Sequence, residues 1–258
     1  MADFPTDLSS VTDNVDDVLA KHINNIETKI GVDASAVTTS LDYKVRYSPN
    51  PHKAKYYLSA IQSNIPTGSF VKINFSTQIY DPNSDFDVTT LVSGTADGTT
   101  GSHLIDSATN FITEGVVVGD RVKNTTDTTY AYVTAVADGD LTLDADIFID
   151  TEGYEIKNSK FVAPVTGWYD VRLKVQLFNV IADKRYDLHI RVEGSDFSGL
   201  SGANSAYAGY LGILDSDLVY ATAGQRIEGF IRSGAGVDTV DIANSQIATS
   251  ITVALHSV

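Results

Sequence analysis

The chain has 258 residues, with 33 acidic and 18 basic side chains and a formal charge of −15, which argues against a nucleic-acid partner held through its phosphates, because such binding needs clustered lysine and arginine. The absence of cysteine excludes disulfides, zinc–thiolate sites and thiol nucleophiles. No apolar run approaches the roughly 18 residues needed to insert across a bilayer, and no export signal is visible at Met1.

A hydrophobic fraction of 43%, with 19 glycines and 13 tyrosines, favours short strands and tight turns in a mostly β chain large enough for a real core. The chain is expected to be soluble and made in a cytosol. Its charge is uneven: residues 91–156 hold 12 acidic and 2 basic side chains, whereas residues 157–258 hold 10 and 9.

The first predicted element is a helix over about residues 13–30. Asp13, Asp16 and Asp17 suit the positive end of its dipole, and Gly31 follows as a C-cap. Val15, Leu19, Ile23, Ile26 and Ile30 form one apolar stripe, which a helix this short must bury against its own domain, sister helices or a larger assembly. RYSPNPH, Arg46 to His52, reads as a linker because its two prolines favour extended backbone. Residues 1–50 are thus expected to be an anchoring segment.

Ser69 to Tyr80, SFVKINFSTQIY, is predicted as one early strand, and DPNSDFDVTT, Asp81 to Thr90, as a solvated turn. Val118 to Val136 reads as two strands joined at Asn124 to Thr129, and an Asp-Gly turn after Ala137 leads into another strand. In FVAPVTGWYDVRLKV, Phe161 to Val175, a Pro-Val-Thr-Gly corner opens a strand in which Tyr169, Val171, Leu173 and Val175 alternate with Asp170, Arg172 and Lys174. The same alternation predicts half-buried strands over 186–193, with His189 facing out, and over 247–256.

No chemistry-bearing constellation emerges from the spacing. Asp81, Asn83, Asp85 and Asp87 resemble the start of an EF-hand loop, but Phe86 stands where that loop needs glycine and Val92 where it needs its bidentate glutamate. The five histidines lack metal-ligand spacing. GSDFSGLSG, Gly194 to Gly202, has no P-loop lysine, and GAGVDT, Gly234 to Thr239, fails as a dinucleotide fingerprint at Thr239. No catalytic, cofactor-binding or metal residue is assigned. Tyr207 and Tyr210, in a Gly/Ala/Ser context, read as trimer contacts or as a ligand surface for sugar stacking.

The Phe161–Tyr169 stretch resembles the F-x-A-P-x-x-G-x-Y strand of C1q/TNF-like jelly rolls. ATAGQRIEGFIRSG, Ala221 to Gly234, resembles a turn and strand of that fold, with Gln225 where aspartate is common, and ITVALHSV resembles its closing strand. His22 to Val45, with its KIG and SLDYK, is similar to N-terminal segments of tailed-phage virion proteins. In phage jelly rolls of this kind, a turn like that at Tyr80–Thr90 leads almost directly into a segment like that at Asn158–Tyr169, so residues 91–156 read as inserted.

These resemblances imply a mostly β fold: a C1q/TNF-like antiparallel jelly-roll sandwich (51–90 plus 157–258) with an inserted small acidic β domain (91–156) and an N-terminal helix. They further imply a homotrimer on the virion surface, attached to a capsid or tail protein through residues 1–50. The exposed jelly roll would then stabilise the particle or adhere to a host cell-surface glycan or protein, as a head fibre, decoration protein or tail fibre. Two other readings stand beside it: a secreted bacterial C1q-like binding module, and a polysaccharide-degrading enzyme.

Overall fold

The computed structural model describes residues 52–98, 100–196, 201–204, 208–234 and 240–258. The predicted helix, its stripe from Val15 to Ile30 and Tyr207 lie outside the described residues. Twenty strands and no helix occur among those described. The first five are β1 (Lys53–Tyr57), β2 (Gln62–Ile65), β3 (Phe70–Lys72), β4 (Thr77–Tyr80) and β5 (Phe86–Asp87). Six follow: β6 (Thr90–Thr95), β7 (His103–Ile105), β8 (Arg121–Asn124), β9 (Tyr130–Ala137), β10 (Asp140–Leu143) and β11 (Gly153–Lys157). The remainder are β12 (Lys160–Val162), β13 (Gly167–Val180), β14 (Arg185–Val192), β15 (Ser195–Asp196), β16 (Ser201–Asn204), β17 (Gly209–Ala221), β18 (Arg226–Ser233), β19 (Val240–Ile242) and β20 (Ser250–Ser257).

Two antiparallel sheets make the sandwich. One runs β2-β19-β13-β20-β1-β4, with β17 on the other side of β13. The second runs β15-β14-β18-β12-β5, with β16 on β14 and β3 on β18. Neighbours far apart in sequence, such as β1 with β20 and β12 with β18, give jelly-roll connectivity. Period-two patterning drives this arrangement: along β13, Tyr169, Val171, Leu173, Val175 and Leu177 are buried, while Trp168, Arg172 and Lys174 are exposed. At the corner before β13, the Tyr169 hydroxyl donates to the Val165 carbonyl at 2.5 Å and its ring meets Phe161 edge-on at 5.5 Å.

Residues 90–157 build a third antiparallel sheet, ordered β6-β11-β8-β9-β10-β7, over a separate core that includes Leu104, Phe111, Val122, Leu141, Tyr154 and Ile156. The chain leaves the sandwich at β5 and returns at β12, and these two strands pair directly, Asp87 opposite Lys160 and Phe86 opposite Phe161. With the exit and re-entry points adjacent, the intervening residues close a loop at little entropic cost. Residues 52–258 nevertheless form one compact unit.

Several local expectations are corrected. The stretch 69–80 is two strands, because the chain crosses between sheets at Ile73–Ser76: β3 pairs β18, β4 pairs β1, and Ile73 and Phe75 both drop into the core. The 81–90 turn is not merely solvated. Buried Asp81 accepts hydrogen bonds from Tyr56 Oη at 3.2 Å, the Asp85 amide at 3.0 Å and the Phe86 amide at 2.9 Å, seating Phe86 on Tyr56 at 4.4 Å between ring centroids.

His189 does not face out. The outward side of β14 is covered by Phe70, whose ring lies 4.2 Å from the His189 ring and receives the Arg191 and Arg232 guanidinium groups at 4.8 and 4.6 Å. Asp187 is buried in the same row, and its pairing with Arg185 and Arg232 outweighs its burial and holds its carboxyl below the usual carboxylate range. The last strand starts at Ser250 rather than Ile247, which is exposed, and its final residues are also exposed.

Asp81→Ala strands a buried phenol and two backbone amides, each costing about 1–3 kcal/mol when left without a partner. The expected outcome is a lower urea midpoint with an unchanged slope, read by tryptophan fluorescence.

Candidate functional site

Three places carry polar or exposed apolar side chains in arrangements that packing alone does not require. The first is the junction between the sandwich and the third sheet. Lys72, on β3, places Nζ 2.5 Å from Asp120 Oδ1 and 2.8 Å from Glu228 Oε1, and all three side chains are buried. Burial works against the ammonium, but the two carboxylates outweigh it and raise its pKa above the ordinary lysine value.

The Lys72 amide donates to the Gly119 carbonyl at 2.9 Å, the Gln62 side chain donates to the Lys72 carbonyl at 2.7 Å, and Asp120 Oδ2 accepts from the Val117 amide at 2.9 Å. Gly119 has φ +94°, and a Cβ there would sit 2.6 Å from the Phe70 carbonyl, so only glycine lets the two backbones approach. Tyr132 of β9 completes the seam: its ring joins the sandwich core, its hydroxyl donates to the Ser63 carbonyl at 3.2 Å, and burial pushes its pKa up to about 12.

The second place is a cleft of about 240 Å³ beside this seam, with Asn74, Ser59 and Ser76 on the sandwich side and Arg121, Lys123, Tyr130, Glu155 and Lys157 on the other. The Arg121 guanidinium lies 3.7 Å over the Tyr130 ring. Arg121 Nε and Asn74 Oδ1 are both buried without a hydrogen-bond partner, and desolvation lowers the Arg121 pKa.

The third place is the outer face of β13 and β17. Strand β17 pairs along its length with β13, and its outward residues Tyr210, Leu214, Leu218 and Tyr220 are 75%, 63%, 41% and 42% exposed. Trp168 meets Tyr220 edge-on at 5.3 Å, and Phe178 lies 6.4 Å from Tyr210. Together they form an apolar strip along a sheet edge, of the kind that marks an interaction surface on a soluble protein.

Of the residues singled out in the sequence, only Tyr210 falls in one of these places. Its Gly/Ala/Ser context reads as a trimer contact or a ligand surface; the structure leaves it 75% exposed on β17, whose alternation carries Leu214, Leu218 and Tyr220 onto the same face. The carboxylates of 81–87 turn onto backbone amides and neighbours: Asp85 meets His52 at 3.1 Å and Asp87 accepts from Thr89 at 2.9 Å. Among the described residues no group of three or more His, Cys, Asp and Glu side chains is arranged to hold a metal ion.

No protein-family profile matches the chain, and no curated protein matches it. Solved structures similar to it include the globular domain of zebrafish complement 1qA protein (9% identity, TM-score 0.40, covering 80% of this chain and 99% of that one). Murine APRIL is similar at 9% identity and TM-score 0.37, covering 79% and 98%. The Eiger TNF of S. frugiperda is similar at 13% identity and TM-score 0.29, covering 38% and 65%. Every one of these TM-scores is below 0.5, so the fold described above stands on the strand order of this chain itself.

Lys72→Ala leaves two buried carboxylates without their cation, and removing one partner of such a group destabilises by about 3–5 kcal/mol. Calorimetry should show a clear fall in Tm. The alkaline limb of the wild-type stability curve carries the same signature. A lysine whose folded pKa exceeds its unfolded value, near 10.4, contributes fully below that pH, and the contribution is lost as pH rises through the folded value. In Lys72→Ala that alkaline loss should be absent.

Proposed function

We propose that this chain is a C1q/TNF-like jelly roll that assembles as a homotrimer and acts as a structural and adhesive protein on the surface of a tailed-phage virion. The observation that carries the reading is the apolar strip of Tyr210, Leu214, Leu218, Tyr220 and Trp168 along the edge of the sandwich. Burying one such leucine against a neighbour is worth about 1.5–3 kcal/mol, and three copies packed around a threefold axis bury the strip on each with no open end. The C1q/TNF-like stretches at Phe161–Tyr169 and Ala221–Gly234 support the same assembly.

In this reading the six-stranded sheet of residues 90–157 is an acidic domain inserted between β5 and β12, directed outward. Residues 1–50 are the anchor to a capsid or tail protein, through the stripe of Val15, Leu19, Ile23, Ile26 and Ile30, and the phage assignment draws on the similarity of His22–Val45 to virion proteins. Binding and assembly, not turnover, is the role.

Native mass measurement at micromolar concentration should give a trimer for the wild type and a monomer for Leu214→Asp/Leu218→Asp; a wild-type monomer overturns the assembly. Tyr210→Ala separates the two roles of that side chain, since loss of the trimer marks a contact residue and a retained trimer with lost binding marks a ligand surface. A chain lacking residues 1–45 should remain a folded trimer but fail to join particles, and its retention on purified particles would refute the anchor.

A further inference from the structure

We propose that the cleft between the sandwich and the six-stranded sheet binds the carboxylate of an acidic saccharide, with Arg121 as its principal contact. Residues 91–156 contain 12 acidic side chains and only two basic ones, Arg121 and Lys123, and both line this cleft. Lys157 lines it too, against the single carboxylate of Glu155, which already accepts from Thr90 Oγ1 at 2.8 Å and lies 3.6 Å from Lys157 Nζ. In a strongly acidic surface, a pocket walled by cations focuses potential and draws in an anion.

Two unsatisfied atoms define what that anion must carry. Arg121 Nε is a donor lacking an acceptor and Asn74 Oδ1 an acceptor lacking a donor, both closed to solvent within residues that line the cleft, so a ligand that reaches them through a small side-chain rotation gains a hydrogen bond at each. A carboxylate answers the first, in the planar geometry a guanidinium fork favours. A sugar hydroxyl answers the second. A fully ionised inorganic anion such as sulfate offers oxygen acceptors in quantity but no hydroxyl to donate.

The Tyr130 ring under the guanidinium fixes the fork in place. The neighbouring Asp120–Lys72–Glu228 contact fixes the backbone from which Arg121 projects. At about 240 Å³ the cleft lies below the roughly 300–1,000 Å³ of pockets that enclose drug-sized ligands, which suits one sugar ring. All the lining residues come from one chain, so the site does not rest on the trimer reading.

The test is a titration of the full-length 15N-labelled protein with glucuronate, following the Arg121 Nε–Hε and Asn74 side-chain signals, with glucose and inorganic sulfate as comparisons. The expected result is a saturable shift at both residues with a Kd on the order of 1 mM, and none with glucose. Arg121→Lys should weaken binding about tenfold, and Lys123→Gln and Lys157→Gln about threefold each, with circular dichroism unchanged. Leu214→Asp/Leu218→Asp should bind as the wild type does.

Absence of a saturable shift at Arg121 overturns the proposal. So do an equal response to glucose, sulfate binding as tight as glucuronate with no change at Asn74, which marks an adventitious ion only, and folded Lys123→Gln and Lys157→Gln proteins that bind undiminished.

Discussion

Lys72 holds the two cores of this chain to each other. Its ammonium is removed from water and shared by a carboxylate from the sandwich, Glu228 on β18, and one from the loop before β8, Asp120. A buried cation between two anions is a poor source of net stability, because desolvation offsets much of the Coulombic gain, but it is intolerant of misalignment. All three groups meet in the same docking of the six-stranded sheet that places Gly119 against Phe70 and Tyr132 in the sandwich core. The acidic sheet is therefore not a bead on a flexible tether, and the residue after Asp120, Arg121, is delivered to a fixed position in the cleft.

The sandwich imposes a second constraint at its edge. A sheet edge that is long and apolar on its outward side is normally short, charged or covered, yet β17 runs for 13 residues with Tyr210, Leu214, Leu218 and Tyr220 outward. The opposite edge region of the same sheet is treated differently: β4 is four residues long, and Tyr80 there carries the Lys53 ammonium over its ring at 4.7 Å. One edge is thus guarded and the other presented, an asymmetry suited to closed assembly in which each copy offers the same face.

The legibility of these features in the sequence follows from how many faces of each strand are covered. Strand β13 has one face in the core and one in water, so its alternation could be read residue by residue. Strand β14 carries the same alternation of types, but Phe70 and two arginines roof its polar row, and burial of Asp187 and His189 was invisible without knowing that β3 lies nearby. The turn at 81–87 reads from sequence as solvated and resembles only the start of a cation loop, because Asx residues that cap backbone amides and those that bind cations share a spacing. Lys72, Asp120 and Glu228 are scattered over more than 150 positions, and no local pattern links them. Of the edge face, sequence context singled out Tyr210 without fixing its role, and the rest of the strip needed the strand to be placed at the edge.

The distribution of charge connects the two surfaces. An acidic exterior keeps separate chains apart through repulsion that extends only about a Debye length, roughly 8 Å at physiological salt, so close contacts must be made where charge is locally absent or reversed. The β13/β17 face is such a place because the outward row of β17 is uncharged, while on β13 Arg172 and Asp170 neutralise each other at 2.9 Å and Lys174 turns onto the Ile247 carbonyl. The cleft is another because the two cations of an otherwise acidic region converge there with Lys157. Under the two proposals, one exception in the charge pattern serves contact between copies and the other contact with a small anion. The Lys72 junction keeps the second from shifting relative to the first, so a chain assembled through its edge would carry its clefts in fixed and repeated orientation, the arrangement in which weak individual affinities combine into avid attachment.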